Sequence, residues 1–598
     1  MKNLNYKQIC SITLSLIFLV EQVYAYESNE SVVSKSIYQT NQRFHPQIGT
    51  KGAVATQESN ASTVGIDILQ QGGNAVDAAV AIGYALAVTL PRAGNIGGGG
   101  FMTIWLNKEQ KAYIINYRET TPAKVNIKEI TELYNTDKDK FIYSYKSSGI
   151  PGTVAGLNLA AREFGKLGKT DFKTLVSPSI ALAENGFNLT YSYLDSLKLS
   201  ENYFKLDPEA KRTYLDDSNI FPSATKKNTS IFLNSLNYKF RQPDLAKTLK
   251  LIAENNDDGF YRGETADSIV SAMKQMGGYI TKEDLENYKA KIANPIIINY
   301  KDYKIIAPPP PSAGGVVLAE QLNMLNALKK EFSKLENNTA KYYHYLTEIM
   351  NISYKDRNYK LGDPNFTTVN IDQLTSQAYA DSLAQKVDKN SHISSQEILK
   401  WPEGNNTTHY VVIDKDLNVV SNTYTLNREF GNNKIIPGAG FFMNNELDDF
   451  AVDITKPNTY GLIQGENNLI KPLKQPLSSM APVIVLDPDN IPFLATGSPG
   501  GSQITTTVLQ ILLNAIDHSY DIATAVALPR IHSQLFPDVL YYEDGISKDS
   551  IDKLILMGHT TEKIKAIGSA QSIYYDKNSR LFHSTADPRR SGALALAY

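Results

Sequence analysis

The 598-residue chain has a single cysteine, Cys10. No intrachain disulfide can form, and a cysteine-rich zinc site is excluded. An excess of one charge is also missing, with 60 Lys+Arg against 62 Asp+Glu and no long basic run. A protein held to nucleic acid by phosphate contacts needs a positive surplus, so that class is set aside. The eight histidines are scattered, without a His-x-x-x-His or HExxH pairing, and raise no expectation of a metal. Apolar runs are short. Ile9 to Val20 covers 12 residues and Ala75 to Val88 covers 14, below the ~20 that a helix needs to cross a bilayer. No repeat of fixed period stands out. What is present is a composition of 42% hydrophobic and 20% charged residues. That is enough for a large core and incompatible with global disorder.

The first 25 residues have the form of a secretory signal. A basic start (Lys2, Lys7) precedes the apolar run, and Val23-Tyr24-Ala25 offers small residues for cleavage after Ala25. The expectation is an exported protein, periplasmic or secreted, with no cysteine and no membrane anchor once the signal is removed. Residues 26–49 are polar and read as a frayed arm. Gly52–Thr56 reads as a strand and Ser62–Gln71 as a helix stopped by Gly72-Gly73. Asn74 is an N-cap for a buried helix over Ala75–Val88. The glycine run Gly97–Gly100 leads into a strand over Phe101–Leu106. From about 120 to 390 the pattern is mostly helical, interrupted by a strand near Lys304. A polar segment, Asp388–Asn406, then gives way to a β-hairpin, Thr408–Asp414 and Asn418–Thr425, turning at Lys415-Asp416-Leu417.

Several segments could carry chemistry, each against a plain structural alternative. Gly97–Gly100 lacks the Lys-Ser/Thr ending of a phosphate loop. Gly500-Gly501 lies between an apolar strand and a helix, where adjacent N–H groups can hold a developing oxyanion; a tight turn is the alternative. Glu446, Asp448 and Asp449 could hold an ammonium group or be a solvated loop. Arg118, after the strand Ala112–Tyr117, could clamp a carboxylate or form a surface ion pair. Ser478-Ser479 offers two hydroxyls. Ser223-Ala-Thr-Lys226 matches the Ser-x-x-Lys of penicillin-binding enzymes without a Lys-Thr-Gly partner. Thr407, at the junction of polar loop and strand, becomes a nucleophile only if cleavage makes it a chain N-terminus whose α-amine serves as base. Such an amine, with a pKa of about 7.7–8.0, accepts a proton near neutrality.

The set as a whole resembles the γ-glutamyltranspeptidase family of N-terminal-nucleophile hydrolases. The resemblance runs through Gly72-Gly-Asn-Ala-Val-Asp-Ala-Ala79, Gly94–Met102, Tyr117-Arg-Glu119, Gly149–Gly156, Pro309–Gly315 and Thr407-Thr-His-Tyr410. It continues through Thr423-Tyr-Thr-Leu-Asn427, Asn444–Phe450, Pro476–Met480, Gly497–Gly501 and Asp587-Pro-Arg589. It implies an α+β fold, the four-layer αββα sandwich of two stacked antiparallel sheets flanked by helices. It implies self-cleavage between Asn406 and Thr407, giving a large subunit (26–406) and a small subunit (407–598) that stay together as a heterodimer forming one body. By the same resemblance Thr407 is the nucleophile, Thr425 orients it, and Gly500 and Gly501 form the oxyanion hole. Arg118, Ser478 and Ser479 would hold the substrate carboxylate, and Asn427, Glu446 and Asp449 its ammonium. Tyr460 is the expected gate of a lid loop. The implied substrates are glutathione and related γ-glutamyl compounds, with water or an amino acid or peptide as acceptor, and no metal or organic cofactor. A cephalosporin (glutaryl) acylase on the same fold, a non-catalytic exported binding protein and a Ser-Lys enzyme at Ser223 are the alternatives.

Overall fold

The computed structural model describes residues 45–215, 239–392, 394 and 407–598. The expected signal segment, Cys10, the Ser223–Lys226 match and Asn406 lie outside them. Fourteen strands in the described residues build two seven-stranded sheets. In chain order they are β1 (Gln47–Gly49), β2 (Gly52–Thr56), β3 (Gly99–Leu106), β4 (Lys111–Tyr117), β5 (Lys291–Ala293), β6 (Ile296–Tyr300) and β7 (Tyr303–Ala307). Then follow β8 (Thr407–Asp414), β9 (Val419–Thr425), β10 (Val483–Leu486), β11 (Pro492–Gly497), β12 (Gln571–Asp576), β13 (Leu581–Ala586) and β14 (Leu594–Ala597). One sheet has the order β1-β13-β12-β11-β10-β7-β6, the other β14-β2-β8-β9-β3-β4-β5. Every pairing within them is antiparallel.

The layers follow from the two-residue period of a strand. Along β8, Val411 and Ile413 face the other sheet and join Ala53, Trp105, Ile306, Ile484 and Ile573 in the inter-sheet core. Tyr410 and Val412 face the opposite way, into a cluster with helices α1 (Ser59–Gln70) and α2 (Ala75–Thr89). Ile305, Val485 and Leu494 do the same for the second sheet, packing on α3 (Gly314–Ala327), α4 (Ala340–Lys360) and α5 (Gln503–Ile516). The result is the four-layer αββα sandwich that the resemblance implied. All of α2 is buried, and Asn74 caps it in a reciprocal box with Asp77, an arrangement of the kind worth about 0.5–2 kcal/mol.

Residues on both sides of the 406–407 bond interleave in both sheets. The hairpin β8–β9 is inserted between β2 and β3, and β7 pairs with β10. Neither side can form a complete sheet without the other.

Three local expectations are corrected. Gln47–Gly49 is an edge strand on β13 rather than part of a frayed arm. The helix expected from Ser62 begins at Ser59, because the Glu58 carboxylate accepts the N–H groups of Asn60 (3.1 Å) and Ala61 (3.0 Å). The stretch read as mostly helical also contains β5 and β6, which pair with β4 and β7 and form edges of the two sheets.

Candidate active site

Thr407 opens β8 and sits opposite Thr425, the last residue of β9. The Thr407 hydroxyl donates to the Thr425 hydroxyl at 3.3 Å, and the latter also accepts the Asn427 N–H at 2.9 Å. Thr425 pairs on its other side with Gly99 of β3. A Cβ on neighbouring Gly98 would lie 1.9 Å from the Thr425 carbonyl oxygen. The Gly97–Gly100 run therefore serves close backbone approach around this strand end. His409, two residues along β8, is buried, donates or accepts at 2.8 Å with Thr423 Oγ1, and lies over Gly497. Burial pushes its pKa down to about 3, so its ring is a neutral packing element.

A cleft beside Thr407 is lined by Arg118, Arg357, Thr425, Asn427, Glu446, Asp449, Tyr460, Ser478, Ser479 and Gly501, among others. Every described member of the expected site except Gly500 is on that wall. Gly500 immediately precedes Gly501, at the turn that leads from β11 into α5. Both glycines have positive φ, +127° and +56°. A side chain at Gly501 would strike the Tyr460 ring at 2.4 Å, so glycine is required there twice over.

Glu446–Asp449 forms a 3₁₀ turn whose four residues are all buried, which overturns the solvated-loop alternative. Arg118 is fully buried as well. Its Nε donates to the Pro476 carbonyl (3.2 Å), Nη2 to Asp449 Oδ2 (2.5 Å), and Nη1 to Glu446 Oε1 and, at 3.4 Å, to Glu119. The cationic and acidic clamps expected as separate features are thus in direct contact. Burial pushes the Glu446 and Glu119 carboxyls up, opposed by the pull of the guanidinium between them. Three acceptors in this group have no donor among the described residues, Glu119 Oε1, Glu446 Oε2 and Asn427 Oδ1. Asp448 turns elsewhere: it accepts the Thr459 N–H at 3.1 Å, next to Tyr460, and burial raises its pKa to about 6.

Tyr460, the expected lid residue, is buried on the cleft wall. Its hydroxyl donates to the Asn427 carbonyl at 2.7 Å, while its own carbonyl accepts Gln534 Nε2 at 2.9 Å. Ser478 Oγ accepts the Met480 N–H at 3.1 Å, and Ser479 Oγ accepts Arg357 Nε at 3.1 Å.

Arg357 was not among the expected residues. It lies on α4, only 3% exposed, and its guanidinium is held by the Ser479 hydroxyl and the amide oxygens of Asn358 and Gln464. Its hydrogen-bond partners are neutral oxygens, and burial lowers its pKa against the pull of Tyr354 and Asp449. No signal along the chain distinguishes it from an ordinary basic residue near a helix C-terminus.

Comparison with known proteins agrees with this geometry. The sequence model of the Gamma-glutamyltranspeptidase family matches residues 61–597. The glutathione hydrolase proenzyme of Escherichia coli K12 is 40% identical over 564 residues, 93% of each chain. That of Bacillus subtilis 168 is 36% identical over 572 residues, 91% of each chain. Among solved structures, the cephalosporin acylase of Bacillus halodurans superposes with a TM-score of 0.79 at 25% identity, covering 94% of this chain and 98% of that one. Helicobacter pylori γ-glutamyltranspeptidase gives 0.51 at 35% identity, over 57% of this chain and 93% of that one. With a family match across nearly the whole described body and full-length relatives at such identity, the chain belongs to the γ-glutamyltranspeptidase family.

Proposed function

We propose that the protein is a self-cleaving γ-glutamyl hydrolase and acyltransferase acting on glutathione and related compounds. In the first reaction the Thr407 hydroxyl adds to the Asn406 carbonyl. The C–N bond breaks, its nitrogen takes up a proton as the new α-amine, and water hydrolyses the resulting ester to free the hydroxyl and leave an Asn406 carboxylate. In the second, that amine accepts the hydroxyl proton while Thr407 Oγ1 attacks the γ-carbonyl, and then passes the proton to the departing amine. Water or an amino acid resolves the γ-glutamyl ester. Gly500 and Gly501 N–H groups face the developing oxyanion; donors of this kind are worth about 10²–10³ in rate. Thr425 orients the nucleophile. Tyr460 over the cleft limits water and so influences the choice of acceptor. The chemistry requires only groups of this chain. The product is an exported heterodimer of residues 26–406 and 407–598; among the described residues no helix is long and apolar enough to cross a membrane.

The observation that carries the substrate assignment is the pairing of a cationic end with unpaired acceptors. A γ-glutamyl group bears an α-carboxylate and an α-ammonium. Glu446 Oε2 and Asn427 Oδ1, with Asp449 beside them, fit the ammonium. Arg118, Ser478 and Ser479 fit the carboxylate, and Arg357 adds the charge that balances it. A glutaryl group lacks the ammonium and would leave those acceptors buried and unpaired. The γ-glutamyl anilide is therefore expected to be turned over on the order of 10² times better than the glutaryl anilide, measured as kcat/KM. Equal or reversed preference would move the protein to the acylase reading. The 40% identity to the Escherichia coli glutathione hydrolase proenzyme, against 25% to the acylase, supports the γ-glutamyl choice.

Arg357→Gln is shorter, but it can place its Nε2 where Arg357 Nε meets Ser479 while removing the charge. The expected result is normal processing with KM for the γ-glutamyl donor raised about 10-fold or more, the worth of a charge-assisted hydrogen bond. An unchanged KM would remove Arg357 from the carboxylate end.

A further inference from the structure

Away from the cleft, the fold assembles donors that are far apart in the sequence. His344 and Glu348 stand one turn apart on α4, so both project from the same face. His559 comes from beyond the 406–407 bond, after the helix Lys548–Leu556. All three are buried, at 0%, 3% and 4% exposure. One ligand-capable atom from each lies within 4.8 Å of the other two.

We propose that His344, Glu348 and His559 form a structural zinc site. The hydrogen bonds around them already have the order that such a site needs. His344 Nε2 meets the Asp388 carbonyl oxygen at 2.8 Å. A carbonyl only accepts, so Nε2 carries the proton and Nδ1 presents its lone pair inward, toward His559 Nε2 at 2.8 Å. Glu348 Oε1 is held at 2.6 Å by His392 Nδ1, and His392 Nε2 is held in turn at 2.8 Å by Asp538 Oδ1. Each of these two ligands thus has an outer partner that fixes its orientation, as metal-binding histidines and carboxylates usually do.

The geometry requires little movement. Tetrahedral zinc with bonds of about 2.0–2.1 Å holds its ligand atoms about 3.3 Å apart. The two imidazoles would separate by about half an ångström from their present contact, with the His559 proton moving from Nε2 to Nδ1. Two imidazole nitrogens and one carboxylate oxygen are a borderline donor set that suits Zn²⁺ over Mg²⁺ or Ca²⁺, and water completes the fourth position. Linear spacing raised no expectation of a metal because the ligands are 4 and 211 residues apart in the chain. Two of them precede residue 407 and one follows it. The metal would therefore link the two processed fragments in a protein whose mature chain has no disulfide. This proposal does not depend on the substrate assignment.

The test uses the processed enzyme, purified without a histidine tag, stripped with EDTA and dialysed. Titration with Zn²⁺ by calorimetry is expected to show one site per heterodimer, and Zn²⁺ is expected to raise the thermal midpoint. Co²⁺ in its place is expected to give the intense visible bands of a tetrahedral ion. His344→Gln and His559→Gln are each expected to weaken Zn²⁺ on the order of 100-fold, and His392→Gln, which only orients Glu348, about 10-fold. Should a variant fail to fold, the wild-type Co²⁺ spectrum still decides. Absence of stoichiometric Zn²⁺ and of the Co²⁺ bands, or affinities unchanged in folded His344 and His559 variants, would overturn the site.

Discussion

Thr407→Ala is expected to remain one uncut chain and to lose γ-glutamyl turnover by a factor on the order of 10⁴ or more. The loss is large because one oxygen is assigned two reactions. Without Oγ1 nothing adds to the Asn406 carbonyl, so the α-amine that would serve as base stays locked in a peptide bond. An amide nitrogen cannot accept a proton near neutrality. The surroundings should tolerate the change, since the alanine methyl fits within the threonine volume and β8 keeps its register with β9 and β2. Thr407→Ser is the control: it restores a hydroxyl 3.3 Å-class contact to Thr425 and should be cleaved and active at a reduced rate. Denaturing electrophoresis with N-terminal sequencing of the smaller fragment reads the first result, and anilide hydrolysis the second. A cut alanine variant would mean that another group performs the cleavage.

Arg118→Gln has the second largest expected effect, a fall in kcat/KM of about 10³-fold together with lost stability. Arg118 is the only cation in hydrogen-bond contact with Glu446, Asp449 and Glu119 among the described residues. Removing one partner of a buried ion pair typically costs about 3–5 kcal/mol, because the remaining charge is left without compensation. The double variant Arg118→Gln/Glu446→Gln separates the two consequences. Taking away one orphaned carboxylate should recover part of the thermal midpoint while turnover stays low, since neither the carboxylate nor the ammonium of the donor then finds its partner. Arg118→Lys should lie between, because a single ammonium cannot span Glu446, Asp449 and the Pro476 carbonyl at once. Activity within 10-fold of wild type in Arg118→Gln would place the donor carboxylate elsewhere in the cleft.

Elements whose causes are local were legible in the sequence. The Asn74 cap, the all-apolar helix behind it and the alternating hairpin around Lys415-Asp416-Leu417 appear where the pattern placed them, with Leu417 at φ +63° in the turn. The site residues were legible only as a resemblance. Taken singly, Glu446, Asp448 and Asp449 read as well as a solvated loop, and physics along the chain offered no reason to bury them. Strands β5 and β6 were missed; β5 has only three residues, and what stabilises both is pairing with β4 and β7.

The sequence by itself determined the composition of this protein's chemistry. It has no cysteine past residue 10, a threonine at the head of a strand, paired glycines before a helix, and an arginine and acids that the resemblance assigns to a zwitterion. The tertiary structure decided which of these groups meet. It brought Arg118 into contact with the acids, closed Tyr460 over Gly501, and recruited Arg357 from a helix where its sequence neighbours gave no hint. It also gathered His344, Glu348 and His559 across the 406–407 bond. The physical reason is the same in each case. Burial and charge compensation are set by neighbours distant in the chain, and only the closed sandwich specifies those neighbours.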